Sequence, residues 1–326
     1  MDKEYFDIAY DLPSDIQFHF AIRINKNWRL VKLNVIEPTE NKPGSKIALL
    51  KRIENPVAEI DVEAFLSPRD IHPVDYFELW LEQQTIEIIN KKTYSSDYGF
   101  ISDYQYRVYI EEKTFVCRSL TIKDGNRIFI ITCRIENSIN ELVEEEFSTA
   151  LQSFRLLNPS NEIFAESYYD FYVELPIKLG FAIPVSWVVK EDEFLIPNGT
   201  SVNFKYFDEE DQVKGSISFV AASKKVEPYH EDLYLYYLNK LKDNGVEFDD
   251  TDLSTIETEG SNQQWIAVIP STINGNNYEI VVSILEQLDT IIFIALIGPA
   301  KSNDHINWAF NKKVMYNITE TLRLVE

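Results

Sequence analysis

The chain has 326 residues, of which 45% are hydrophobic and 13% aromatic, and its formal net charge at pH 7 is −22. This length and this apolar content are enough for two domains with ordinary hydrophobic cores. The acidic excess repels phosphate backbones and anionic lipids, so nucleic acid and acidic membrane surfaces are not expected partners. Either the charge serves solubility, or it faces a basic protein partner.

The first residues, the apolar runs and the cysteines of the sequence predict a cytoplasmic location. The first residues, Met1-Asp-Lys-Glu-Tyr5, lack the basic start and the apolar run of a signal peptide. The longest apolar run, Ile291 to Ile297, is far shorter than the ~20 residues that span a bilayer. Cys117 and Cys133 lie on neighbouring predicted strands, where they could face each other. We expect both to be buried, reduced thiols in a cytoplasmic protein without membrane insertion.

The first half of the chain begins with strand patterns. Apolar side chains step by two from Phe18 to Ile24, which is the period of a strand with one buried face. Two more strands are predicted over residues 46–52 and 57–66, and the acidic side chains of the second should form a solvated face. Pro73 then begins a predicted helix that extends to Ile88, because proline is tolerated in a first helical turn.

A three-stranded meander and a helix complete this half. The predicted strands cover residues 103–110, 114–122 and 127–135. Asp124-Gly125 joins the last two and is a strong signal for a tight hairpin. Apolar residues then recur at helical spacing over residues 137–154, where Ser138 and Glu141 have the spacing of a capping box.

The second half repeats this order of elements. Pro228 is predicted to begin its first helix, and Gly245 to end it, because glycine suits a C-terminal cap. Three strands follow, over residues 265–269, 278–285 and 290–297. Ser302 is predicted to begin the last helix.

The repeated order indicates a duplicated domain. Trp187 takes the place of Trp28, and the offset between matching elements drifts slowly along the chain, as loop insertions would cause. We therefore predict an α+β fold with two similar domains, residues 1–158 and 159–326. Each is expected to be an antiparallel sheet covered by helices.

These features together resemble a known superfamily. Each half has an early tryptophan, a helix begun by proline, three strands, and a last helix that ends in Ser153-Phe154-Arg155 or in Thr321-Leu322-Arg323. Over almost the whole chain this resembles the Mog/PsbP/DcrB-like superfamily of α/β sandwiches. The resemblance implies a binding or assembly factor. It extends to the Eag chaperones, which hold hydrophobic segments of type VI secretion effectors and work as homodimers of single domains; a tandem chain would be a covalent version of such a pair.

The sequence offers little for catalysis or metal binding. No histidine has a paired metal spacing, and His72 and His230 flank predicted helix starts, where polar residues are expected. Asp249, Asp250 and Asp252 lack the central glycine of a calcium loop. Phosphate-binding and nucleophile motifs are absent from the sequence. We therefore expect no enzyme activity, no cofactor and no metal.

Aromatic residues are the remaining candidates. Tyr104 and Tyr106 share one face of a predicted strand, while Trp80 and Tyr237 lie on matching helices of the two halves. Such side chains either pack in a core or form the hot spots of a protein-binding surface. Replacing Tyr104 and Tyr106 by alanine distinguishes the two, because only surface anchors can be lost without unfolding.

The sequence thus predicts a non-enzymatic adaptor or chaperone-like protein that binds another protein. The resemblance implies that this partner is an effector of a bacterial secretion system. The alternative is a carrier that holds a small ligand or lipid between its helices and its sheet.

Overall fold

The structure is a computed structural model. It describes residues 4–33, 38, 44–82, 85–96, 99–110, 113–136, 141–160, 162, 164–174, 177–190, 199–224, 230–249, 254–257, 263–287 and 289–325. The chain divides into two compact units, Met1–Glu166 and Ser167–Glu326, which are called domain 1 and domain 2.

Domain 1 consists of strands with one helix in the middle and one at the end. Its elements in chain order are β1 (Tyr5–Tyr10), a 3-10 turn (Ile16–Phe18), β2 (Phe20–Asn25), β3 (Trp28–Leu30), β4 (Gly44–Arg52), β5 (Ala58–Leu66), α1 (Pro73–Glu82), β6 (Ile86–Ser96), β7 (Gly99–Ile110), β8 (Lys113–Asp124), β9 (Arg127–Glu136), α2 (Glu141–Ser153) and β10 (Arg155–Leu156). The main sheet has the order β3-β4-β5-β9-β8-β7-β6, and a small sheet has the order β1-β2-β10.

The main sheet of domain 1 is buried on both faces. One face packs against α2 and the small sheet, through residues such as Phe129, Phe147 and Phe20. The other face packs against α1, through residues such as Ile128 and Phe77. Because strands at the centre of such a sandwich are buried on both sides, β9 is a continuous apolar run rather than an alternating one.

Domain 2 has the same order of elements. They are β11 (Tyr168–Val173), β12 (Leu179–Pro184), β13 (Trp187–Lys190), β14 (Gly199–Phe207), β15 (Val213–Ser223), α3 (His230–Asp243), β16 (Glu247–Phe248), β17 (Ser254–Glu257), β18 (Gln263–Ile273), β19 (Asn276–Gln287), β20 (Thr290–Pro299), α4 (His305–Thr321) and β21 (Arg323–Leu324). The main sheet runs β13-β14-β15-β20-β19-β18-β16, with β17 also on β18, and the small sheet runs β11-β12-β21.

The two domains therefore share one topology, and all their strand pairs are antiparallel. This confirms the predicted α+β fold of two similar domains, each with an antiparallel sheet covered by helices. The domains differ at one sheet edge. In domain 1 that edge is β6, with 11 residues. In domain 2 the described part of the edge consists of β16, with 2 residues, and β17, with 4.

The predicted first helix was too long. It ends at Glu82, and Ile86 and Ile88 belong to β6, a strand that the sequence analysis missed. The β6 segment is rich in β-branched residues and pairs with β7 along most of its length. That ladder outweighs the helical spacing of Ile88 from Gln84, on which the predicted helix end rested.

Several helix ends can be compared with their predictions. Asp304, not Ser302, caps α4, because its carboxylate accepts a hydrogen bond from the backbone N–H of Asn307 at 3.1 Å. Gly245 ends α3 with φ +80°, as predicted. The predicted starts at Ser138 and Pro228 lie outside the described residues.

The two cysteines do not face each other. Both are buried and unpaired, but Cys117 packs on the α1 side of the sheet and Cys133 on the α2 side. The register explains this, since Cys117 pairs with Arg134 and Arg118 pairs with Cys133. Neighbouring residues of a strand point to opposite faces.

The division between the domains falls later than the predicted 158/159. The backbone N–H of Ser160 donates to the Asp124 carboxylate at 2.9 Å, and Arg127 Nη2 donates to the Asn158 carbonyl at 3.1 Å. These hydrogen bonds keep the segment after α2 with domain 1.

Candidate functional site

Two of the predicted contact residues are part of the core of domain 1. The side chains of Tyr104 and Tyr106 are 0% exposed and lie under Phe77 of α1, with ring centroids 4.9 and 6.0 Å from its ring. The Tyr106 hydroxyl shares a hydrogen bond with Ser119 Oγ at 2.9 Å. Their prediction as surface anchors is corrected, because α1 covers the strand face that carries them.

The other two predicted residues lie in different domains. Tyr237 is buried in domain 2, with its ring 5.1 Å from that of Phe293, so it is also not a surface anchor. Trp80 is half-buried and stacks on Phe77 at 5.4 Å. Its Nε1 donates a hydrogen bond to Glu63 Oε2 at 3.2 Å. Trp80 is thus the one of the four whose side chain remains partly accessible.

A cavity of about 160 Å³ lies beside Trp80 on the α1 face of the domain 1 sheet. We call it the α1 cleft. One part of its wall is apolar or aromatic, and the other carries charges of both signs. Its lining residues are Lys46, Asp61, Glu63, Trp80, Tyr106, Val108, Ile110, Phe115, Cys117, Thr132 and Arg134.

The charges of the α1 cleft come from a row of carboxylates on β5. Glu59, Asp61 and Glu63 are two residues apart, so all three point to the same face of the sheet. Arg134 on β9 forms ion pairs with Asp61 and Glu59, both at 3.0 Å. Lys46 lies 3.4 Å from Asp61. Glu59 also pairs with a second lysine on β4.

Burial shifts the pKa values of these groups. Burial raises the pKa of Asp61 above its ordinary value even though Lys46 and Arg134 lie close by. Burial and then repulsion from Asp61 raise the pKa of Glu63. Burial also raises the pKa of the Cys117 thiol to about 12. The site therefore holds carboxylates whose charged forms are poorly solvated.

Domain 2 has no such charges at the matching positions. Counting from the closing pairs of the β8–β9 and β19–β20 hairpins, Arg134 corresponds to Ile297. By the same register, β15 has Ser216, Ser218 and Val220 at the positions where β5 has its three carboxylates. The same fold thus forms without this charge network, so the fold itself does not require it.

Next to the cleft, the edge of the domain 1 sheet exposes large apolar side chains. We define the β6 surface as five residues of β6 and β7 that are 44–49% exposed: Ile88, Ile89, Tyr94, Tyr109 and Ile110. The pairing of β6 with β7 is interrupted by a bulge between Ile88 and Asn90. Ile88 pairs with Tyr106 and faces the α1 side, whereas Tyr94 pairs with Ile101 and faces the other side, so both faces of this edge carry exposed apolar side chains. Exposed apolar side chains along a strand at the edge of a sheet are typical of a protein-binding surface.

The sequence analysis did not single out the charged residues of the cleft. It expected the acidic face of β5 to be solvated, and did not foresee that α1 and β9 would bury much of it. A usable signal was available. Carboxylates at alternate positions of a central strand, with Ser, Ser and Val in the duplicate, indicate a feature peculiar to one domain.

In domain 2, a wide groove of about 600 Å³ is lined mainly by polar residues near the β18–β19 hairpin, including Glu247, Ser271 and Asn277. Among the described residues of the whole chain, no three His, Cys, Asp or Glu side chains are placed to hold a metal ion. His72 accepts a hydrogen bond from the backbone N–H of Val74 at 3.2 Å, which fits the predicted helix-start role. Within the described ranges, every helix is too short or too polar to cross a membrane.

No protein-family model matches the sequence, and a sequence search among curated proteins gives no match. The structure is similar to the cyanobacterial PsbP of Synechocystis sp. PCC 6803, with TM-score 0.35 and 14% identity over 46% of this chain and 92% of that one. It is similar to a mutant of the protein Mog1, with TM-score 0.32 and 11% identity over 48% and 97%.

A third structure is similar over most of both chains. It is the type VI secretion immunity protein TplEi of Pseudomonas aeruginosa, solved with a peptide, with TM-score 0.26 and 10% identity over 94% of this chain and 95% of that one. At TM-scores this low, none of these similarities supports a conclusion about function. Membership of the Mog/PsbP/DcrB-like superfamily and the cytoplasmic location stay predictions.

Proposed function

We propose that this chain is a non-enzymatic protein-binding protein that contacts its partner along the β6 surface of domain 1. The observation that carries the proposal is the long strand edge of β6 with its exposed apolar side chains. An unpaired edge strand offers backbone donors and acceptors to an added strand, and neighbouring side chains supply specificity.

The comparison of the two domains supports this choice of surface. Among the described residues, domain 2 has two separate strands at the same side, β16 with 2 residues and β17 with 4, whereas domain 1 has the 11 residues of β6 there. Lys91, Lys92 and the bulge near Ile89 are features that prevent edge strands from pairing indiscriminately. A long apolar edge with such safeguards suits a selective contact.

The kind of partner follows from the sequence resemblance. A tandem of two domains similar to Eag chaperones would act as an adaptor or chaperone for an effector of a bacterial secretion system. The net charge of −22 favours a partner with basic surface. An effector or toxin gene beside the gene for this chain would support this hypothesis.

The contact surface can be tested by site-specific photocrosslinking in cells. A photoreactive amino acid replaces Ile89 on the β6 surface, and in a control it replaces Val268, an equally exposed apolar residue on β18 of domain 2. We expect a discrete crosslinked protein from position 89 and none, or a different set, from position 268. Identical products from both positions would contradict the proposal.

Binding of the purified partner then gives the decisive measurement. Ile89→Glu combined with Tyr94→Glu should weaken the dissociation constant at least tenfold, because two carboxylates replace apolar contacts. Val268→Glu should leave it unchanged. Circular dichroism checks that each variant is folded, and an unchanged affinity of a folded double variant would exclude the β6 surface.

The alternative function, a carrier of a lipid or small ligand, receives less support. The α1 cleft of about 160 Å³ is smaller than the ~300–1,000 Å³ of most pockets for drug-sized ligands. The larger groove of domain 2 is open and mainly polar. Thermal shifts across a panel of lipids and metabolites test this alternative.

A further inference from the structure

We propose that the α1 cleft is a recognition pocket for one basic side chain, a lysine or an arginine, of the protein partner. This inference rests on the proposed protein-binding function and names the chemistry of a second contact, which adjoins the β6 surface at Ile110. It also predicts that small alkyl cations bind the cleft without any partner.

The size and the walls of the cleft fit such a side chain. A volume of about 160 Å³ holds one long side chain, not a folded segment. Val108, Ile110 and Phe115 form an apolar wall that suits the alkyl stem of lysine or arginine. Trp80 lines the cleft beside Glu63 and adds aromatic surface for the same stem.

The charged wall of the cleft contains one carboxylate, Glu63, that forms no ion pair with the described residues. Arg134 and Lys46 both pair with Asp61. Glu63 accepts a hydrogen bond from Trp80 Nε1, and no described residue places a cation within ion-pair distance of it. Burial and repulsion from Asp61 raise the pKa of Glu63 although Lys46 and Arg134 lie nearby. An added cation is therefore the complement that this carboxylate lacks.

Comparison with domain 2 indicates that the fold does not require a carboxylate at the position of Glu63. Val220 replaces Glu63 at the matching register position, beside Phe293 on the neighbouring strand. A half-buried carboxylate costs stability unless it is paired, so a neutral residue is the favourable choice for folding alone. Domain 1 retains the costly group next to a cavity, which is the pattern of a binding site.

The test uses the full chain and four probes of one size: n-butylguanidinium, n-butylammonium, n-butanol and butyrate. The readout is the indole N–H resonance of Trp80 in NMR spectra, assigned among the five tryptophans by its loss in Trp80→Phe. The two cations should shift it in a saturable way. Butanol and butyrate should not shift it at matching concentrations.

Variants locate the site. Glu63→Gln, which keeps the hydrogen-bond acceptor for Trp80 but removes the charge, should weaken binding of n-butylguanidinium at least fivefold. Glu87→Gln removes an exposed carboxylate that pairs with Arg107 and should have no effect. The dispersion of the remaining resonances shows that each variant is folded.

Each other outcome overturns the inference. Equal shifts with butanol would show an apolar groove without charge selectivity, and binding that survives Glu63→Gln would place the cation elsewhere. The absence of any shift would leave the cleft without this role. None of these results affects the β6 surface, because the probes need no partner, so a failure here is distinguishable from a failure of the proposed function.

Discussion

Trp28 Nε1 donates a hydrogen bond to Glu146 Oε2 at 3.0 Å in the core of domain 1. Arg52 Nε donates to the same oxygen at 2.9 Å, and both charged side chains are only 1% exposed. Asn25 Nδ2 satisfies the other oxygen at 2.9 Å. This network ties α2 to β2, β3 and β4. In domain 2, Tyr206 replaces Arg52 in the pair with the matching tryptophan.

Removing the Glu146 carboxylate should strongly destabilise domain 1. Glu146→Ala leaves the Arg52 guanidinium buried without its partner, and breaking a buried ion pair costs about 3–5 kcal/mol. Urea denaturation followed by circular dichroism measures the loss. The exposed neighbour Glu144 is the control, and its alanine variant should change the unfolding free energy by less than about 0.5 kcal/mol. A cost for Glu146→Ala as small as that of the control would show that the network contributes little.

The two matching tryptophans should respond differently to phenylalanine. The buried Nε1 of Trp187 has no hydrogen-bond partner among the described residues, so Trp187→Phe removes an unsatisfied donor. Trp28→Phe instead removes a donor from the Glu146 carboxylate. We expect Trp28→Phe to cost about 1–3 kcal/mol more than Trp187→Phe. Unfolding monitored by domain-specific proteolysis or NMR compares the two, and equal costs would contradict the expectation.

The Glu63 carboxylate should make stability depend on pH. Burial, with repulsion from Asp61, raises the pKa of Glu63 above its ordinary 4.5, so the folded state prefers the protonated form. The stability that this preference contributes is complete below the ordinary pKa and is lost as pH rises through the raised one. Glu63→Gln should therefore raise the unfolding free energy at pH 7 and leave it nearly unchanged below pH 4.5.

Whether Glu63→Gln raises or lowers the unfolding free energy depends on the groups that face Glu63. These are Asp61 on β5, Lys46 on β4, Arg134 on β9, and Trp80 with Tyr76 on α1. Unfolding curves of the wild type and the variant across the pH range measure the difference. A Gln variant that is less stable at pH 7 would show that the lysine and the arginine outweigh burial.

Glycines on β15 and β20 allow α4 to pack closely in domain 2. A Cβ at Gly298 would lie 2.3 Å from Asn311 Nδ2, and a Cβ at Gly215 would lie 2.5 Å from Asn311 Oδ1. Gly298→Ala should cost about 1–3 kcal/mol, the usual range for overpacking. In an Asn311→Ala background the same change should cost less, which a double-mutant cycle by thermal denaturation would show. A cost independent of Asn311 would indicate backbone strain instead.

Both cysteines should resist modification in the folded protein. Burial raises the pKa values of Cys117 and Cys133, so the reactive thiolate is scarce at neutral pH. Alkylation with iodoacetamide at pH 8, followed by mass spectrometry, should label neither thiol until a denaturant is added, and then both. Since the two thiols lie on opposite faces of the sheet, reductant should not change the melting temperature.

Patterns in the sequence determined much of the fold because they are local. The strand over Phe20 to Ile24, the Asp124-Gly125 hairpin and the glycine cap at Gly245 depend only on near neighbours, and each is present in the structure. Phe18, also predicted in that strand, lies in the preceding 3-10 turn. The repeated order of elements predicted two similar domains, since a duplicated sequence repeats the same local preferences. The same logic failed at Ile88, which has helical spacing from Gln84 in the sequence but pairs with Tyr106 of β7.

Which side chains are buried depends on the tertiary structure. Tyr104 and Tyr106 share a strand face in either interpretation, and only the position of α1 places that face in the core and Trp80 at its rim. Asp61 and Arg134 are far apart in the sequence and form an ion pair because β5 and β9 pair at the centre of the sheet. Solvation and charge pairing depend on such long-range neighbours, which local patterns do not specify. The sequence alone therefore predicted the duplication, whereas the cleft and the exposed β6 edge became visible only in the tertiary structure.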